Sequence, residues 1–172
     1  MTFVATASGD SYIRQAEDLR RGFDDFGWPS LVVATSHDFP GMDDLWGGRG
    51  LKTRFAHFLP DDTTGPVAFL DCDCRVIGPF RQPPRIDNNT LIAKIRSSRW
   101  SPTYGRKFLL QSCLLIFPSL PVARSVCDKW YREAASYSPK IGSDEPALHR
   151  AIQGMTVIDI QEHGNPMPNL AH

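Results

Sequence analysis

Val67-Ala68-Phe69-Leu70-Asp71-Cys72-Asp73-Cys74-Arg75-Val76-Ile77 runs from four apolar residues into two carboxylates spaced i, i+2, and apolar residues resume after Arg75. Gly65-Pro66 precedes this segment and Gly78-Pro79 follows it. A short apolar run bounded by turn residues marks a fully buried strand. On a strand, alternate side chains share a face, so Asp71 and Asp73 are expected to point one way and Cys72 and Cys74 the other. Carboxylates held side by side repel each other unless a cation lies between them. Oxygen ligands of this kind suit Mg²⁺ or Mn²⁺, which complete their shells with water and substrate phosphates. The plainer alternative is a pair of aspartates that solvates a strand end, since D-x-D alone is a common pattern.

The composition neither demands nor forbids that chemistry. Of 172 residues, 41% are apolar, and 19 basic side chains balance 19 acidic ones. Balanced charge offers no global attraction for nucleic acid or an anionic membrane. The length suits one domain over residues 1–172, with a core three layers thick. Met1-Thr2-Phe3-Val4-Ala5-Thr6 lacks the basic start and long apolar segment of a signal peptide. No apolar run reaches the length of a membrane span, so a cytoplasmic location is expected. Cys72, Cys74, Cys113 and Cys127 include no C-x-x-C pair, and no Cys/His pair follows at zinc-ligand spacing. Buried, reduced thiols are the expectation.

Upstream of the acidic segment, residues 2–7 read as a strand ending in Ser8-Gly9-Asp10. Ile13, Ala16, Leu19, Phe23 and Phe26 then recur with helical spacing, and Gly27 closes that helix. Residues 30–35 are a second strand, so the chain opens β-loop-α-β, the pattern of a mainly parallel sheet with helices on its faces. A Gly/Asp/Pro-rich loop over 36–50 leads to a helix over about 50–59, with Leu51, Phe55, Phe58 and Leu59 on its apolar side. Lys52, Arg54 and His57 lie on the other side of that helix.

Downstream, prolines exclude regular structure from residues 78–89, and residues 90–95 are strand-like. Residues 96–107 form a basic and aromatic loop with Arg96, Arg99, Trp100, Tyr104, Arg106 and Lys107. Residues 108–117 are a buried strand interrupted by Gln111-Ser112, a costly place for polar groups without partners. A helix starting at 118–121 carries Val122, Val126, Trp130 and Ala134 inward. Ser143-Asp144-Glu145-Pro146 has the form of a helix N-terminus, with Ala147, Leu148, Ala151 and Ile152 on the inner face. Residues 155–160 are the last strand, and the Pro/Asn-rich tail 161–172 contains His163 and His172.

The order of these pieces resembles the small glycosyltransferases of the GT-A fold, above all the glycogenin- and lipopolysaccharide-galactosyltransferase-like group. The resemblance rests on a first strand followed by Asp10 and Tyr12, and on a basic residue (Lys52 or Arg54) ahead of the acidic strand. It continues with Phe69-Leu70-Asp71-Cys72-Asp73 running to Gly78-Pro79-Phe80, then Gln111-Ser112-Cys113-Leu114-Leu115-Ile116-Phe117, Asp144-Glu145-Pro146-Ala147-Leu148-His149 and a late His. It implies a three-layer α/β/α sandwich with a mainly parallel, mixed central sheet. It also implies transfer of a sugar from a nucleotide-diphosphate donor, UDP-linked by preference, with Mn²⁺ or Mg²⁺ held by Asp71, Asp73 and either His163 or His172. Three features depart from the family pattern. Cys113 replaces a glycine, Glu145 stands where glutamine is usual, and little chain is left for an acceptor subdomain.

On that resemblance, Thr6, Ala7, Asp10 and Tyr12 would meet the nucleoside, with Tyr12 stacking on the base. Lys52 or Arg54 would neutralise the diphosphate, Arg as a bidentate fork and Lys as a point charge. Asp71, Cys72, Gln111 and Ser112 would line the donor site, and Asp144 with Glu145 would sit at the reacting sugar. The acceptor stays open between a carbohydrate, a protein and a nucleic-acid base. Two rivals come from other classes. A non-catalytic domain of the same fold would bind nucleotide without turnover. A haloacid-dehalogenase-type Mg²⁺ phosphatase also uses D-x-D, but on its first strand and with Thr or Val where this chain has Arg75.

Overall fold

The structure is a computed structural model that describes residues 1–42, 44–45, 48–95, 110–136, 144–160 and 170–171. Strand β1 (Thr2–Ala7), helix α1 (Asp10–Asp25) and strand β2 (Leu31–Thr35) form the opening parallel unit. Helix α2 (Arg49–Thr53) and a 3₁₀ turn (Phe55–Phe58) lead into β3 (Val67–Asp71), which lies parallel to β1 on its other side. Then come β4 (Arg75–Val76), β5 (Thr90–Ile95), β6 (Leu110–Phe117), α3 (Leu120–Ala135), α4 (Asp144–Ala151), β7 (Thr156–Asp159) and β8 (Leu170–Ala171).

Among the described residues the main sheet has the order β2-β1-β3-β6-β5-β7, with β6 antiparallel to both its neighbours and the other pairs parallel. The sheet is therefore mixed and mainly parallel. Its side chains alternate between two helical layers, as the two-residue period of a strand requires. Val4, Phe69, Leu91, Ala93, Leu115 and Phe117 face the 3₁₀ turn, α3 and α4. Phe3, Ala5, Ala68, Leu70, Ile92 and Ile116 face α1, which contributes Ala16, Leu19 and Phe23. The result is a three-layer α/β/α sandwich. No helix among the described residues is long and apolar enough to cross a membrane.

Helix α1 stops where its sequence says it should. Gly27 takes φ 63°, Gly27 N–H donates to Asp24 and Trp28 N–H to Phe23, the paired bonds of a Schellman motif. Phe26 lies on the exposed side of that stop, 42% accessible, rather than on the apolar face expected for it.

Other expectations change in instructive ways. The helix expected over 50–59 breaks at Arg54 (φ −113°, ψ 13°), directly after Thr53, whose Oγ1 donates back to the carbonyls of Arg49 and Gly50 at 2.9 and 3.3 Å, a bond that weakens and bends helices. The strand expected across 67–77 ends at Asp71, where Cys74 N–H closes a turn onto the Asp71 carbonyl at 3.0 Å. The Pro/Asn-rich tail supplies β8, which pairs antiparallel with β4. The polar interruption of β6 is a register shift, Ala93 facing Leu115 while Lys94 faces Gln111. Residues 96–109, with the basic and aromatic loop, lie outside the described residues, as do Ser143, His163 and His172.

Candidate active site

The carboxyl ends of β1 and β3 open into a cleft lined by Thr6, Ser8, Tyr12, Gly48, Arg49, Lys52, Asp71, Cys72, Asp73 and Asp144. Crevices at the carboxyl ends of parallel strands, where connections leave to opposite sides, are the usual ligand sites of α/β sheets. Here α1 departs toward one face of the sheet and the 3₁₀ turn before β3 packs on the other. The cleft is a shallow one of about 190 Å³ that opens broadly to solvent.

Strand alternation places Asp71 on the same face as Phe69, where the helix carrying Lys52 packs. Lys52 Nζ lies 2.7 Å from Asp71 Oδ1 and 3.2 Å from Asp144 Oδ2, bridging the two acids. Burial opposes its charged form, but Asp71 and Asp144 outweigh burial and raise its pKa. Asp144 opens α4, where the helix dipole favours a negative charge. It accepts a hydrogen bond from Ser112 Oγ at 3.1 Å and meets Arg49 Nε at 3.5 Å. Burial pushes the Asp144 carboxyl up, yet Lys52 and Arg49 hold it below the usual carboxylate range. The buried indole of Trp130 donates to the Asp144 main-chain carbonyl at 2.7 Å, anchoring the first turn of α4 to α3. Asp71 behaves oppositely. Burial raises its pKa, Lys52 opposes that rise, and Asp73 and Asp144 add to it.

Several expected site residues converge here and others do not. Thr6 and Tyr12 line the cleft, Tyr12 with 53% of its surface open. Asp71 and Asp73 both line it, although Asp73 stands on the turn after the strand and is exposed. Cys72, expected on the opposite face from the aspartates, also reaches the cleft because the chain turns at this point. Its thiol is pushed up to about 11, first by burial and then by Asp71 and Asp73. Ser112 is buried and touches the site through Asp144.

Ala7 packs its methyl into the core, Asp10 is exposed in the first turn of α1, Gln111 pairs in register with Lys94, and Glu145 follows Asp144; none of the four lines the cleft. Arg54 is turned away, with Nη2 donating to both Asp44 oxygens at 2.9 and 2.7 Å. Arg49 and Ser8 were not expected. Arg49 sits at the edge of a Gly-rich loop whose sequence carries no periodic signal, and Ser8 is an ordinary strand-end residue. His163 and His172 lie outside the described residues. Among the described residues, no three His, Cys, Asp or Glu side chains come together as a metal site.

A scan against protein-family models and a search of curated proteins each found no match. Solved structures do match. The glycosyltransferase GlyE of Streptococcus pneumoniae TIGR4 aligns with TM-score 0.62 at 14% identity, covering 99% of this chain and 54% of that one. The galactosyltransferase LgtC, in a complex with donor and acceptor sugar analogs, aligns with TM-score 0.53 at 14% identity over 94% of this chain and 74% of that one. A glycosyltransferase involved in glycosylation of the major capsid of PBCV-1 aligns with TM-score 0.60 at 11% identity, over 100% of this chain and 92% of that one. This chain thus spans about half the length of GlyE and nearly all of the PBCV-1 protein. What is shared at such identity is architecture, and this chain has the GT-A fold of these glycosyltransferases.

Proposed function

We propose that this chain transfers a sugar from a nucleotide-diphosphate donor, UDP-linked by preference, with the help of Mn²⁺ or Mg²⁺. The observation that carries the reading is the meeting of Asp71, Asp73, Asp144, Lys52 and Arg49 in one cleft at the carboxyl ends of β1 and β3.

The donor set fits such an ion. Asp71 and Asp73 offer oxygen ligands only, and Mg²⁺-type sites commonly use one or two carboxylates and take the rest from water and phosphate. Three carboxylates against two cations leave the lining one negative charge in excess, which a divalent ion would reverse in favour of an anionic donor. When bound, the ion would supply Lewis-acid stabilisation of the departing diphosphate. His163 or His172 remains the proposed third protein ligand.

The chain's own residues account for the other needs of the reaction. Lys52 and Arg49 face the negative charge of the diphosphate, the former as a point charge and the latter as a fork. Tyr12 offers an open aromatic face to the nucleobase, beside Thr6. Asp144, ionised at neutral pH, orients the sugar hydroxyls, with Ser112 and Trp130 fixing its position. Cys72 lines the donor cleft, whereas Asp10, Gln111 and Glu145 stand outside its lining and are given no direct contact with the donor. The acceptor is a carbohydrate, a protein or a nucleic-acid base.

Asp73→Asn is the direct test, because Asp73 is exposed and its loss leaves the Lys52 bridge intact. Mn²⁺-dependent hydrolysis across a panel of nucleotide sugars should fall by about 100-fold or more, while the thermal unfolding midpoint stays within a degree or two of wild type. Undiminished hydrolysis in the variant rejects the metal role. Mg²⁺-dependent cleavage of p-nitrophenyl phosphate, with nucleotide sugars untouched, replaces the transferase reading by a phosphatase.

A further inference from the structure

Arg54, turned out of the cleft, belongs to a second cluster. Its Nη2 donates to both oxygens of Asp44, and its guanidinium stacks 3.8 Å from the ring centroid of Tyr131. Tyr131 completes the triangle by donating its hydroxyl to Asp44 Oδ2 at 2.7 Å. We infer that Asp44, Arg54 and Tyr131 act as a clamp that sets Gly48 and Arg49 in the cleft, making them positioning residues for diphosphate binding. The inference rests on the proposed reading of the cleft as a diphosphate site.

Helix α2 has five residues, and helices far shorter than about 12 residues do not hold themselves in water. Its place must come from what bounds it. Asp44 lies upstream of the helix, Arg54 caps its downstream end, and Tyr131 belongs to the 16-residue α3, whose Trp130 and Cys127 are fully buried. The clamp therefore ties both ends of α2 to a rigid element.

Close packing adds a second constraint. A Cβ on Gly50 would fall 2.3 Å from the Met42 carbonyl oxygen and 2.9 Å from the Asp44 nitrogen, so the incoming chain lies directly against the first turn of α2. Leu45, next to Asp44, packs on the core. Gly48, the N-cap of α2, and Arg49, its first residue, line the cleft and sit between these anchors. Arg49 meets Asp144 at 3.5 Å, a contact that a displacement of 1 Å would remove.

The test uses the full chain, calorimetric binding of inorganic pyrophosphate with Mn²⁺, and hydrogen exchange of the peptide covering residues 44–53. Arg54→Gln should weaken pyrophosphate binding about tenfold and speed exchange in that peptide. Tyr131→Phe should do both to a smaller extent, and Arg54→Lys, which restores the charge but not the stacking, should recover part of the loss. In donor hydrolysis the clamp variants should raise KM with kcat nearly unchanged. Asp128→Asn, which removes the exposed His57–Asp128 pair, should move none of these. Faster exchange with unchanged pyrophosphate affinity, or unchanged exchange, overturns the positioning role. If wild type binds no pyrophosphate, the diphosphate reading of the cleft falls and takes the binding role with it, while exchange still reports separately whether the clamp holds Arg49.

Discussion

Lys52 and Arg54 stand two residues apart at the end of one short helix, and each is tied to carboxylates, yet they serve different regions. Residues i and i+2 do not share a helix face, so one side chain turns into the cleft and the other toward α3. In the cleft, Lys52 is 16% exposed between Asp71 and Asp144, with its ammonium 5.7 Å from the Phe69 ring centroid. In the outer cluster, Arg54 is 20% exposed, but its partner Asp44 is 41% exposed. Similar charges at similar distances thus work against different surroundings. Water screens one carboxylate of the outer cluster directly. The inner acids depend on each other's cation, because removing it leaves charges that water reaches poorly. That dependence is what a ligand-binding cleft requires, since an incoming anion or cation then finds partners of high potential already in place.

The largest expected effect separates the two clusters by stability. Lys52→Met leaves Asp71 and Asp144 without their shared cation, and loss of one member of a buried ion pair costs about 3–5 kcal/mol. Arg54→Met should cost about 1 kcal/mol or less, as for exposed pairs. Urea unfolding of both variants measures the difference. Adding Asp71→Asn to Lys52→Met should recover part of the loss, because neighbours in one ionic network are not additive. Equal costs for the two single variants would erase the distinction between the clusters.

The distinction also marks how far the sequence could be followed. Apolar runs with turn residues at their ends located β1, β5 and β6 within a residue or two and gave the start of β3 but not its end, and helical spacing located α1 and α3. Asp144 before Pro146 marked the start of α4. What escaped depended on three-dimensional partners. Val76 and Ile77 made the acidic segment look like one long strand, whereas β3 loses its β6 partner after Leu70 and the chain turns at Asp71–Cys74. Two-residue strands such as β4 and β8 carry no periodicity to read. Lys52 and Arg54 were equivalent basic residues until the break at Arg54 was known, and Arg49 gained meaning only through Asp144.

A smaller effect follows from pH. Lys52 and Arg49 hold the Asp144 carboxyl below its ordinary value against burial, so ionised Asp144 stabilises the fold. The sign is that of a depressed acid. The contribution is complete above the unfolded pKa of about 4 and is lost as pH falls through the lower folded value. The stability gap between wild type and Asp144→Asn should therefore be flat from pH 5 to 8 and close only below about pH 4. A gap that closed near neutrality would mean that Asp144 is not held by the two cations.

The smallest effect sharpens the comparison by salt. Raising ionic strength from 0.1 to 1 M shortens the screening length from about 10 to about 3 Å, which reaches a half-open carboxylate such as Asp44 and barely touches the Lys52 bridge. The cost of Arg54→Met should shrink by about half in 1 M NaCl, and that of Lys52→Met should persist. Some Arg54 cost should survive even then, because the guanidinium stacked 3.8 Å from the Tyr131 centroid keeps its contact when the ionic part is screened. Arg54→Lys in 1 M NaCl isolates that remainder: it keeps the charge, loses the flat stacking surface, and should be nearly as costly there as Arg54→Met.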